Sequence, residues 1–241
     1  MKKLISLIVL SLSASLAVAD DHASGPLFYG QSFGFVADDP AAVVAAMDKW
    51  RSSDAGKATP NTVVLLQNLV NGDYKSTHQV NVFYANTAAM DESAMAVADD
   101  RGWRAFQSSM QKLTEPEWEN TYAILRAKVG EGDITSANPV SIIYGLTVTD
   151  APAFMAAFNQ MWGSAEIQNF PGAVYFGRNI ASGAMPGTHF ITFVADSRGK
   201  LMEAVTRMQA SEQMAAYLSQ IGDTRKLEQT SMTVEAKRWA N

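Results

Sequence analysis

Pro60-Asn61-Thr62-Val63-Val64-Leu65-Leu66-Gln67-Asn68, followed after a Gly72-containing turn by Thr77-His78-Gln79-Val80-Asn81-Val82, recurs in this chain. Its second occurrence is Pro171-Gly172-Ala173-Val174-Tyr175-Phe176-Gly177-Arg178-Asn179, then Gly183, then Thr188-His189-Phe190-Ile191-Thr192-Phe193. Each stretch is a pair of short apolar runs bounded by turn-forming residues, the pattern of two strands joined as a hairpin. The repeat uses two of the three histidines in 241 residues. A chain that repeats a hairpin down to its Thr-His contains one folding unit twice.

Upstream, Val36-Ala37-Asp38-Asp39-Pro40-Ala41 aligns with Val148-Thr149-Asp150-Ala151-Pro152-Ala153. In both, a β-rich segment ends, an aspartate stands near a helix N-cap, and proline opens the first turn, where its missing N–H costs nothing. The helices are expected to reach Trp50 and Trp162, with Val43 over Met155, Ala46 over Phe158 and Trp50 over Trp162. That i, i+3, i+7 spacing marks one buried face. Downstream, a second helix is expected over Met90–Leu113 and over Lys200–Ile221, the latter broken near Ser211, with Phe106 matching Tyr217. Closing strands are expected at Thr121–Lys128 and Ser231–Lys237.

The order in each copy is β-α-β-β-α-β, the ferredoxin-like unit. Two helices cover one sheet face and leave the other in need of a partner, which a second copy supplies. The expected fold is therefore α+β, two tandem ferredoxin-like repeats packed as one pseudo-two-fold α+β barrel. Residues 20–128 form the first repeat with an N-terminal tail, 129–138 a Gly/polar linker and 139–241 the second repeat.

Residues 1–19 read as a secretory signal peptide. Lys2 and Lys3 precede an apolar run that ends in Ala17-Val18-Ala19, a small-x-small cleavage site. The run is short for a membrane span and no cysteine follows it for lipid attachment. The mature protein is thus expected to be periplasmic or secreted and free of the membrane. With no cysteine, it depends on burial rather than disulfides. The net charge is −5; without Lys2 and Lys3, 17 basic residues face 24 acidic ones, giving −7. That balance argues against nucleic acid or anionic lipid as a partner.

With the hairpin turn centred near Asp73, Asn68 faces His78 across the ladder, and by the same count Asn179 faces His189. Opposed residues interact, so these pairs are either hairpin clamps or a duplicated site. In the functional case His78 and His189 are the candidate catalytic acid/base groups and Asn68 and Asn179 the ligand-binding or oxygen-polarising partners. Structural duty is the commoner fate of a half-buried histidine. In the second copy Arg178 replaces Gln67 and Phe190 replaces Gln79. Together with Tyr175 they are candidate contacts for an anionic or aromatic ligand, or else filling between sheets. No metal site is expected: two histidines in separate copies offer no zinc spacing. Asp38-Asp39 and Asp99-Asp100 read as helix caps or solvated charges. Nucleophile elbows, phosphate loops and dinucleotide fingerprints are absent from the sequence.

This element order resembles the dimeric α+β barrel superfamily in tandem form, over nearly the whole mature chain. That superfamily includes antibiotic-biosynthesis monooxygenase-like, NIPSNAP-like and chlorite dismutase-like haem proteins. The resemblance carries no signature motif of one member family, so no active site is transferred. Three readings stand: a small-molecule (apolar or aromatic) binding barrel, from the duplicated fold with its aromatics and few polar groups; a cofactor-independent monooxygenase-like enzyme, which the resemblance implies; and a structural module whose duplicated surface binds a protein, with an oligomer compatible with each. No cofactor is expected. The chlorite dismutase resemblance raises haem as the alternative, with His189 the first candidate ligand and His78 the second.

Overall fold

A computed structural model describes residues 25–130, 138–183 and 185–240. The proposed signal peptide and most of the proposed linker lie outside the described residues. The first copy contains β1 (Phe28–Ala37), α1 (Pro40–Arg51), the short α2 (Asp54–Ala58), β2 (Asn61–Val70), β3 (His78–Tyr84), α3 (Thr87–Val97), α4 (Arg101–Leu113) and β4 (Thr114–Val129). The second contains β5 (Val140–Val148), α5 (Ala151–Trp162), α6 (Ala165–Gln168), β6 (Ala173–Ala181), β7 (His189–Ala195), α7 (Arg198–Gln209), α8 (Glu212–Ile221) and β8 (Arg225–Trp239).

The eight antiparallel strands close into a barrel in the order β1-β3-β2-β8-β5-β7-β6-β4. Each copy contributes its four strands in ferredoxin order, and closure comes from β2 pairing with β8 and β4 with β6. The tandem α+β barrel expected from the hairpin repeat is the fold observed. The closing strands are about twice as long as expected because each pairs with its own first strand and with the other copy. Pro116 and the glutamates around it hide the start of β4. The proline stands where the register slips between Gly34 and Phe35, and the neighbouring residues pair with β1 alone. An open edge at a bulge is where a strand tolerates proline.

The helix starts fix how the copies correspond. The N-caps Asp39 and Asp150, Ser53 and Ser164, Asn86 and Ser197, and Asp100 and Ser211 stand a constant 111 residues apart. Asp39 and Asp150 accept from the Ala42 and Ala153 amides, and Asp100 accepts from Trp103. The Asp100 cap starts a separate helix, so Met90–Leu113 is two helices, as Lys200–Ile221 is around Ser211. This spacing corrects the alignment of the first helices by one residue. Trp50 corresponds to Met161, and the true counterpart of Trp162 is Arg51. The buried faces agree: Val43, Met47, Trp50 and Arg51 in α1 match Phe154, Phe158, Met161 and Trp162 in α5, with Trp162 half-buried.

Alternation divides each strand between a helix-covered outer face and the barrel interior. Outside, Phe154, Phe158, Phe176 and Phe193 fill the second copy, while Val43, Met47, Val63, Leu65 and Val80 fill the first. Inside, aromatic rings lie over glycines of the neighbouring strand. Trp118 covers Gly34, Tyr122 covers Gly30 and Phe190 covers Gly177; a Cβ on any of these glycines would overlap the ring. The interior is a packed core.

Candidate functional site

The hairpins set the positions of both histidines. Gly72 and Gly183 take positive φ (58° and 51°), a conformation glycine adopts without strain. The turns are centred half a residue earlier than Asp73, so His78 pairs with Gln67 and His189 with Arg178. This corrects the Asn/His opposition, because a one-residue slip moves a side chain to the other face. Asn68 and Asn179 point inward. Their amide nitrogens donate to the Ser76 and Gly187 carbonyls at 2.8 and 3.0 Å. Their main-chain N–H groups bond Thr77 and Thr188, both at 2.9 Å.

Each histidine is bonded by its preceding threonine. Thr77 Oγ1 accepts from the Ala37 N–H at 3.0 Å and lies 2.9 Å from His78 Nδ1. Thr188 does the same with Val148 at 3.0 Å and His189 at 2.9 Å. The threonine hydroxyl has a second lone pair as well as its proton, so it can either donate to Nδ1 or accept from it, and the Thr188 hydroxyl also lies 3.5 Å from the Leu146 carbonyl. Burial lowers the pKa of both rings, and Arg178 pushes His189 further down. His78 stacks on Phe35, and His189 lies parallel to Phe176 with centroids 5.5 Å apart. The Thr-His pair ties the end of the first strand of each copy to the start of its third.

The second-copy candidates do not converge. Arg178 is exposed beside His189 on the outer face, whereas Tyr175 and Phe190 point into the barrel. Phe190 packs edge-on against Tyr122 at 5.2 Å, and Tyr175 meets Phe28 at 6.1 Å. One cavity cannot be lined by all three.

The side chains around His189 do not fit haem. The layer it faces is filled by Phe154, Phe158 and Phe176, each under 4% exposed. His78 is itself buried at 7% exposure. Among the described residues no group of three or more His, Asp or Glu could hold a metal.

The sequence reading missed a buried polar constellation in the first copy. Arg51 Nη1 donates to Thr59 Oγ1 at 2.7 Å and Asn61 Oδ1 at 2.9 Å, and Nη2 donates to the Asn61 carbonyl at 3.2 Å. Asn61 Nδ2 reaches Ser93 Oγ on α3 at 3.1 Å, and Tyr84, paired with Asn61, donates to Gln31 at 3.0 Å. The 111-residue spacing places Trp162, Phe170, Gly172, Ala204 and Ala195 at the positions of Arg51, Thr59, Asn61, Ser93 and Tyr84. One copy has polar groups where the other has apolar side chains or glycine. That comparison was available in the sequence once the offset was right.

Arg51 is 6% exposed, its Nε has no partner, and among the described residues no carboxylate pairs with it. Burial lowers its pKa, the sign of a charge held against desolvation. The helix-end carbonyls do not use it: the Ser52 amide bonds the Asp48 carbonyl, and the Ser53 amide and hydroxyl bond that of Trp50. Arg51 lines an open groove of about 770 Å³ with Asp48, Lys49, Ser52, Arg238, Trp239 and Ala240. Asp48 is engaged by Lys237 and by the Trp239 indole N–H at 2.8 Å, which lower its pKa. Arg238 pairs with Glu235. A smaller cleft lies between α5 and α8; neither cleft includes a histidine.

No protein-family model and no curated protein matches the chain. Solved structures do. A candidate monooxygenase from Fusobacterium nucleatum is 11% identical, with a TM-score of 0.61 over 91% of this chain and 96% of that one. An anthrone oxidase-like protein is 9% identical, with a TM-score of 0.56 over 88% and 93%. A chlorite dismutase from Candidatus Nitrospira defluvii is 10% identical, with a TM-score of 0.51 over 89% and 93%. At such identities the likeness is one of fold: the chain has the dimeric α+β barrel fold, both ferredoxin-like units being supplied by one polypeptide.

Proposed function

We propose that this chain, a tandem barrel of the dimeric α+β type, is an exported small-molecule-binding protein whose ligand site is the groove at Arg51, between α1 of the first copy and the end of β8 of the second. The observation that carries the reading is the buried guanidinium, bonded to Thr59 and Asn61 yet paired with no carboxylate among the described residues. Keeping a charge buried is costly, and a cation held by neutral acceptors beside an open groove is suited to a ligand that completes it. Export rests on residues 1–19. Native mass spectrometry of protein purified from its source tests both parts. The expected result is a chain beginning at Asp20 with a small molecule retained, and Arg51→Gln protein that has lost that molecule. A wild-type protein devoid of ligand in that measurement contradicts the reading.

A second reading is a cofactor-independent, monooxygenase-like enzyme. It is favoured by His189, half-exposed, neutral and next to Arg178, on a fold shared with proteins named as monooxygenase and oxidase. Oxygen uptake with an anthrone as substrate, lost in His189→Gln protein of unchanged melting temperature, would establish it. Equal uptake by the two proteins, or none, would dismiss it.

A further inference from the structure

The two copies exchange a cation and an aromatic ring at equivalent places. Over the second copy, Trp162 on α5 faces a cation of the first copy's closing strand β4: Arg126 lies over the Trp162 ring at 5.9 Å and over Phe158 at 5.7 Å. Lys128 is satisfied by the Phe170 carbonyl at 2.7 Å. Over the first copy, its helix α1 carries the cation, Arg51, and the closing strand β8 of the second copy carries the ring, Trp239, at the positions of Trp162 and Lys128. The second arrangement is closed on itself. In the first, Trp239 rests on the apolar core with Lys237 over its ring at 5.4 Å, and Arg51 keeps an unpartnered N–H.

The groove's charges can be sorted one by one. Asp48 is matched by Lys237, and Arg238 by Glu235. Lys49, exposed on the last turn of α1, has no carboxylate partner among the described residues, and neither has Arg51. Two uncompensated cations therefore line one groove of a chain whose overall charge is −5. Beside them stands an indole with one edge engaged by Asp48.

We propose that the groove takes an organic monocarboxylate with an apolar or aromatic body, the carboxylate held by Arg51 and Lys49 and the body laid along Trp239. This inference rests on the ligand site proposed above. Guanidinium suits a carboxylate because its planar N–H groups match the two oxygens, and an aromatic wall adds contact without demanding further hydrogen bonds. Inorganic phosphate has no apolar body to lie along Trp239, which makes it the contrasting anion.

The test is calorimetric titration of the full chain with phenylacetate and indole-3-acetate, with their neutral amides, and with inorganic phosphate. Binding of the acids at least tenfold tighter than the amides is expected, weakening as salt rises. Lys49→Gln should weaken it severalfold at unchanged melting temperature, and Arg51→Gln should abolish it. If Arg51→Gln does not fold, the acid-to-amide ratio and Lys49→Gln decide. Amides that bind as well as acids overturn the carboxylate assignment and leave the binding site standing. Phosphate that binds as tightly as the aromatic acids overturns the apolar body. If none of the probes binds, the ligand class is wrong, and the retained-ligand measurement separately decides the proposed function.

Discussion

Arg51 bonds both the side-chain and the main-chain oxygen of Asn61, at 2.9 and 3.2 Å, where the second copy of the same unit has Trp162 and Gly172. The duplication thus built two helix–sheet layers from one plan, an aromatic one and a polar one. The polar layer is bridged to α3 through Ser93 and opens beside the last strand. Removing the donor with Arg51→Ala deletes the three hydrogen bonds it gives to the Thr59 and Asn61 oxygens in a buried setting. A loss of about 2–3 kcal/mol is expected in urea unfolding. A change under about 0.5 kcal/mol would show that water reaches these groups.

Thr77→Val and Thr188→Val each delete an acceptor for a main-chain N–H and the hydroxyl bonded to a histidine. Each should cost about 1–3 kcal/mol by the same logic. Thr77 should be the more sensitive, because His78 is buried where His189 is half-exposed. Equal, negligible losses would contradict the clamp.

The histidines also set a pH dependence. Their folded pKa values lie below the ordinary histidine value, so between the two values the unfolded chain binds more protons than the folded one. Stability is therefore full above about pH 6.5, the unfolded value, and falls as the pH drops toward the folded values. Chemical denaturation from pH 7.5 to 5 should show this decline, and the His78→Gln/His189→Gln double variant should flatten it. A separate decline at lower pH is expected from Asp48 and Glu117, whose pKa values are lowered by their hydrogen bonds to Lys237 and Trp239 and to the Lys75 and Ser76 amides.

Gly34→Ala places a methyl group in the Trp118 ring. Overpacking of this kind costs about 1–3 kcal/mol. Trp118→Leu alone should also destabilise, by leaving a cavity and the Ser76 hydroxyl without its indole donor. Because the two residues share one space, the double variant should lose less than the two single losses together. Strict additivity would refute the packed interior.

The fold was readable because apolar runs, turn glycines and capping aspartates recur at fixed spacing, and local chemistry alone places such elements. Two one-residue errors show where local reading stops. The turn centre depends on backbone angles at Gly72 that the sequence allows but does not specify, and it decided whether Asn68 or Gln67 met His78. In the first helices, Trp50 and Trp162 drew the alignment together although the capping aspartates stand one register away. That slip hid the Arg51 and Trp162 correspondence and with it the candidate site. The site also draws on α1, the turn after α2, β2, α3 and the last strand, segments that no local pattern links.

Arg51 is proposed as the anchor of a ligand site. Its most direct measurement is the side-chain Nε–H resonance of Arg51 in protein labelled with ¹⁵N-arginine, assigned by its disappearance in Arg51→Lys and followed while phenylacetate is added. A ligand held by Arg51 gives a saturable shift of that resonance at the concentration that gives the calorimetric heat. A resonance that stays in place while phenylacetate binds would contradict it.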